Sequence, residues 1–169
     1  MSYQSFEQVL QKCHTEEKEF WRVILEDDMA ERNVSEEDSM EHMRATWDAM
    51  LLAAATYEGN LNSSSGLVGG DGRRMEEYIR SAQTKSLCGE YVDTCIAGAL
   101  QMGESNACMK RIVAAPTAGA CGVLPAVLVP YFQKRCKDTD KILKAMYVAA
   151  GIGQIIATRS SISGAAGGC

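Results

Sequence analysis

The sequence predicts an all-α fold, and three observations predict it. Over residues 1–58 apolar side chains recur at helical spacing, i, i+3, i+4 and i+7. Capping patterns, Ser35 with Asp38 and the run Asp138-Thr139-Asp140, stand just ahead of apolar stretches. Alternation at period two never lasts long enough to build a sheet. The expected organisation is a single helical domain over 1–169, with N-terminal helices in 1–58 and the main helical body in 59–169.

Taken in order, Phe6, Val9, Leu10 and Cys13 share one helix face, and Phe20, Trp21, Ile24 and Leu25 resume the pattern to about Ala30. The charged run Thr15 to Glu19 between them reads either as a solvated helix face or as a joint. A second helix starts at the Ser35 cap and carries Met40, Met43, Trp47, Met50, Leu51 and Ala54 as a core stripe, ending by Gly59. Arg73–Arg80 and Leu87–Met102 follow as helices joined by a polar break at 83–86. In the latter, Tyr91, Cys95, Gly98 and Met102 lie along one side. Ile112 to Ala115 is too short to assign. Ala120 to Gln133 reads as a buried helix that either spans Pro125 and Pro130 or begins at Pro125. Last, Ile142, Met146, Ala149, Ala150 and Gly153 form a small-residue face that runs towards Thr158.

Composition excludes several function classes. Apolar residues make up 46% of the chain and charged ones 23%, the balance of a globular domain rather than a disordered one. A formal charge of -5 with no basic stripe argues against nucleic acid as partner. No apolar run approaches the ~18 residues of a membrane span, and the N-terminus lacks the pattern of a secretory signal, so the chain is expected to be cytoplasmic. Seven cysteines, an odd number without a C-x-x-C pair, suggest neither a disulfide framework nor a self-contained zinc site; most are expected to be small core hydrophobes. The two histidines, His14 and His42, fall in the N-terminal helices without a second ligand at helical spacing, and are expected to be solvated or at the core edge.

Three stretches of small residues carry the chemistry. Backbone amides in Gly-rich turns converge on anions, and hydroxyls add donors. Ser63, Ser64, Ser65, Gly66, Gly69 and Gly70 suit a carboxylate or phosphate, as do Thr117 and Gly119, and Ser161, Ser163 and Gly164. Each alone is as consistent with a flexible connection; three in one small helical chain favour a site for a small anionic molecule. No G-x-x-x-x-G-K-[ST] and no strand–turn–helix unit supports a nucleotide.

The residues Ala115-Pro116-Thr117-Ala118-Gly119-Ala120-Cys121-Gly122-Val123-Leu124-Pro125-Ala126-Val127-Leu128, with Ser161-Ile162-Ser163-Gly164-Ala165-Ala166-Gly167-Gly168-Cys169, resemble the iron–sulfur L-serine dehydratase family, specifically its α chain. Ser64 to Asp71 and Tyr78-Ile79-Arg80 join the resemblance, which covers about 59–169. It implies a lyase converting L-serine to pyruvate and ammonia on a [4Fe–4S] cluster whose open iron acts as a Lewis acid on the hydroxyl. It implies Cys169 as the first cluster ligand, with two further cysteines beyond this sequence, and a serine dehydratase β chain as partner; a homo-oligomer is also open. Cys121 matches no ligand position and reads as a structural thiol. The sequence resembles an α chain that stops just after its first ligand, so by itself it is expected to be inactive; no residue is assigned as catalytic base.

Two other readings compete. A pyridoxal-phosphate lyase also uses Ser/Gly loops, but needs a Schiff-base lysine, and neither Lys110 nor Lys141 stands in a small-residue motif. A non-catalytic helical fragment or assembly subunit fits a chain without its remaining ligands.

Overall fold

A computed structural model describes residues 3–81 and 86–162. Among them there are seven α-helices, one π-helical turn and no strand. Contacts divide the chain into two compact units, Met1–Trp47 with Asp138–Cys169, and Asp48–Lys137.

The first unit holds α1 (Phe6–Thr15), α2 (Phe20–Arg32), the first part of α3 (Glu36–Ala55) and α7 (Thr139–Arg159). The charged run after α1 is a joint: Glu17 takes a left-handed backbone (φ 51°), and Lys18 Nζ bridges Glu16 and Glu26 at 2.7 and 2.8 Å. The N-terminal region therefore forms three helices rather than two. Asn33, also left-handed, ends α2. Ser35 and Asp38 form the expected capping box: the Asp38 amide donates to Ser35 Oγ (3.1 Å), and the Ser35 amide to Asp38 Oδ2 (3.3 Å). Asp138 caps α7, accepting from the Lys141 amide.

Val9, Val23, Ile24, Leu25, Tyr147 and Ile155 are the core of this unit. At Gly151 a Cβ would stand 2.7 Å from both Cγ1 and Cδ1 of Ile24, so α2 and α7 approach closely at this glycine. The buried residues on α7 are Ile142, Leu143, Met146, Tyr147, Gly151 and Ile155, a wide arc of the helix rather than one line. This corrects the predicted face. Ala149, Ala150 and Gly153 are only partly buried, because in the second half of α7 burial falls on the side of Gly151 and Ile155, where Gly151 meets Ile24.

The second unit holds the end of α3, then α4 (Asp71–Arg80), α5 (Glu90–Ala107), α6 (Val123–Tyr131) and the π-turn Phe132–Cys136. α3 stops at Ala55, before Gly59, where Thr56 turns its hydroxyl back onto the Leu52 carbonyl. α5 begins at Glu90 rather than Leu87: Gly89 has φ 83°, and Ser86 Oγ accepts the amides of Cys88 and Gly89. Most of the polar break before it lies outside the described residues. α6 starts at Val123, which places Pro125 in the first turn and leaves Pro130 as the internal proline. The π-turn follows immediately.

α6 runs antiparallel to α5. Tyr91 donates to the Val127 carbonyl (3.3 Å), a Cβ at Gly98 would lie 3.4 Å from Ala126, and one at Gly122 would lie 3.0 Å from the Ala99 carbonyl. The cysteine expectation needs correction. Of the six described cysteines only Cys121 is buried; Cys13, Cys95, Cys108 and Cys136 are half-buried and Cys88 is exposed. Helix ends and loops, where several of them stand, offer partial cover only. Both histidines are exposed.

Candidate functional site

The first Ser/Gly stretch is a closed turn. The Ser63 amide donates to the Val68 carbonyl (2.8 Å), the Gly66 amide to the Ser63 carbonyl (2.8 Å), and the Val68 amide to Ser63 Oγ (3.1 Å). Ser63 and Ser65 share a hydroxyl–hydroxyl bond of 3.1 Å, and Ser65 Oγ also accepts from Leu67. Both hydroxyls thus hold the turn, while Ser64 is exposed. Gly66 and Gly70 adopt φ of 71° and 83°, and a Cβ on Gly69 would collide with the Leu61 carbonyl oxygen. The glycines serve to bring this turn onto the start of α4.

That helix start has an occupant the sequence did not reveal. Gly70, at the N-cap, has no side chain with which to accept. Glu104 of α5 does so instead: the amides of Asp71 and Gly72 donate to its Oε1 at 2.5 and 3.0 Å, and Tyr57 donates to its Oε2 at 2.5 Å. Glu104 is 2% exposed. A buried carboxylate needs such donors, and a helix N-terminus with its converging amides and positive dipole end supplies them. Burial, and then the Glu104 carboxylate, push the Tyr57 hydroxyl well above its ordinary pKa. The α4 N-terminus, the strongest anion position near this loop, is therefore filled by the protein's own carboxylate. In sequence Glu104 looks like any helical glutamate. The one available signal was a glycine-capped helix that required an acceptor from elsewhere.

Asn106 and Met102, on the same part of α5, anchor the second stretch. Asn106 Nδ2 donates to the Ala118 carbonyl (3.1 Å), and Cys121 Sγ to that of Met102 (3.8 Å). Thr117 Oγ1 accepts from the Ala120 amide (3.2 Å), which leaves its proton available to a ligand, and Gly119 is exposed beside it. Cys121 is 1% exposed, and burial pushes its thiol pKa up, the opposite of an activated thiolate; it is a structural thiol.

Two of the three predicted stretches are thus tied to the C-terminal part of α5. Of the third, Ser161 is exposed just after α7, in the first unit, and Ser163, Gly164 and Cys169 lie outside the described residues. A cavity of about 300 Å³ in the second unit, lined by Ala54, Glu76, Gln101, Met102, Pro125 and Val129 among others, contains none of the predicted residues.

Among the described residues no group of three or more His, Cys, Asp or Glu side chains is placed to hold a metal ion. This part of the chain does not fit an iron–sulfur cluster, which needs several thiolates at its corners. The lysines weighed for a Schiff base are exposed: Lys110 pairs with Glu58 (3.4 Å) and Lys141 with Asp138 (3.5 Å).

Comparison with known proteins agrees with the family resemblance. The family model described as serine dehydratase alpha chain matches residues 15–169. A probable L-serine dehydratase α chain of Bacillus subtilis is 33% identical over 147 residues, covering 87% of this chain and 48% of its own length. The L-serine dehydratase α chain of Peptoniphilus asaccharolyticus is 31% identical over 166 residues, 96% of this chain and 55% of its own. L-serine dehydratase 2 of Escherichia coli is 45% identical over 73 residues, 42% of this chain. No solved structure matches. The chain belongs to the serine dehydratase α-chain family, and spans about half the length of those two α-chain relatives.

Proposed function

We propose that the chain supplies the substrate-carboxylate loops of an L-serine ammonia-lyase that eliminates water from L-serine to give pyruvate and ammonia. The observation that carries this is the family match over residues 15–169, and the anchoring of both loops on one stretch of α5 supports it. With the α4 amides engaged by Glu104, the donors offered to a carboxylate are the Ser64 and Thr117 hydroxyls and the backbone around Gly69 and Gly119. Holding the carboxylate in this way fixes which face of the serine Cα a base can reach. Ser161, Ser163 and Gly164 are proposed as further hydroxyl and amide donors. In the same reading Cys169 is this chain's contribution to a [4Fe–4S] cluster, the other thiolates come from further polypeptide, and a β chain completes the enzyme.

Titration of the isolated chain with L-serine, followed by amide NMR, tests the loop assignment. Serine is expected to shift amides near residues 64–70 and 117–119, with Ser64→Ala and Thr117→Val each weakening binding ~3–10-fold, the loss of about one hydrogen bond. Shifts confined to other regions, or wild-type affinity in both variants, would overturn it.

A further inference from the structure

α6 has no polar side chain from Val123 to Pro130. A helix apolar on every side is one that proteins bury on every side. Here one side is open: Val123, Val127 and Tyr131, spaced i, i+4, i+8, are 45–60% exposed. α5 carries a matching open row, Val92, Ile96 and Leu100, at 38–43%.

The two rows lie on the same side of the helix pair. On α5 the line facing α6 passes through Tyr91 and Gly98 to Ala99, and on α6 the line facing α5 passes through Gly122 and Ala126. Each open row stands one residue later than its contact line, ~100° further round its own helix. Because the helices are antiparallel, the two rotations carry the rows to one common side. The result is a two-helix apolar groove, of the kind that receives the apolar face of a third helix.

Two observations name its occupant. Six side chains of this size, about half exposed, offer roughly 500 Å² in all, against the ~800 Å² per partner that a stable pair of separate copies needs. The chain also covers only 48% and 55% of its α-chain relatives, so about half of each relative has no counterpart here. We infer that the α5–α6 groove is covered by an amphipathic helix from the polypeptide corresponding to that other half.

Co-expression of the 169-residue chain with a tagged polypeptide spanning the unmatched half of the Bacillus subtilis α chain, and separately of the Peptoniphilus asaccharolyticus one, tests this without reference to activity. Capture of the chain in a 1:1 complex with either half is expected. Ile96→Glu and Val127→Glu should each reduce capture at least tenfold, while Leu10→Ser, an exposed apolar residue of α1, leaves it unchanged. Circular dichroism of the free variants checks that they keep their helices. No capture by either half, or capture indifferent to both glutamates, overturns the inference. So does self-association of the free chain in sedimentation that the same two glutamates abolish, since the occupant would then be a second copy.

Discussion

Glu104 decides most at the scale of single residues. Its carboxylate caps α4 and holds Tyr57. Glu104→Gln keeps an acceptor for the two amides but replaces the charge-assisted bond to Tyr57 with a weaker one, so a stability loss of ~1–3 kcal/mol in urea unfolding is expected. The same variant has an optical readout. Tyr57 has its pKa raised in the folded state, so its contribution to stability is complete below the unfolded tyrosine pKa near ~10 and is lost as pH climbs from there towards the folded value. Absorbance titration of the tyrosinates should show this ring ionising late in the wild-type chain and earlier in Glu104→Gln. Identical titrations would mean that the carboxylate does not set the Tyr57 proton. Ser63 and Ser65 were legible as residues of a polar turn. That their hydroxyls are spent on closing it, while Ser64 is exposed, depends on hydrogen bonds formed only in the folded turn, and composition carries no record of that.

Among the elements, the helices were legible wherever a cap and an apolar stripe coincide, as for α3 behind Ser35 and α7 behind Asp138. Boundaries set by glycine or by loop side chains were displaced, as at Ala55 and Glu90. Close helix approach was readable only as a possibility in the small residues, since a glycine is needed only where a neighbour occupies the space of its Cβ. Two glycines make that contrast testable by thermal or urea unfolding. Gly151 has buried Ile24 against it, whereas Gly103 of α5 has nothing within 4 Å. Gly151→Ala is expected to destabilise by ~1–3 kcal/mol through overpacking, and Gly103→Ala to stabilise by up to ~1 kcal/mol through helix propensity. Equal effects at the two sites would argue against the α2–α7 contact.

For the whole molecule, the chain is a serine dehydratase α-chain relative that carries about half the length of two such relatives. Its described residues do not assemble a metal-binding group, and the resemblance leaves Cys169 as its only proposed cluster thiolate. Anaerobic reconstitution with iron and sulfide is therefore expected to leave the chain alone with substoichiometric, labile iron and little turnover of L-serine, and Cys169→Ser to lower the iron further. Stoichiometric cluster and pyruvate formation by the chain alone would show that other donors complete the site.

By itself the sequence determined the all-α class, the two strongest helix starts, the family and the three Ser/Gly stretches, because periodicity, capping and motif are local properties that survive without a fold. Tertiary structure alone decided that Glu104 fills the α4 N-terminus, that two of the stretches share α5 as their anchor, and that α5 and α6 turn their open apolar rows to one side. Each of these depends on a contact between residues distant in sequence, Glu104 with Asp71, Asn106 with Ala118, Gly98 with Ala126. Helix packing chooses such partners through shape, and the order of residues along the chain does not encode that shape locally.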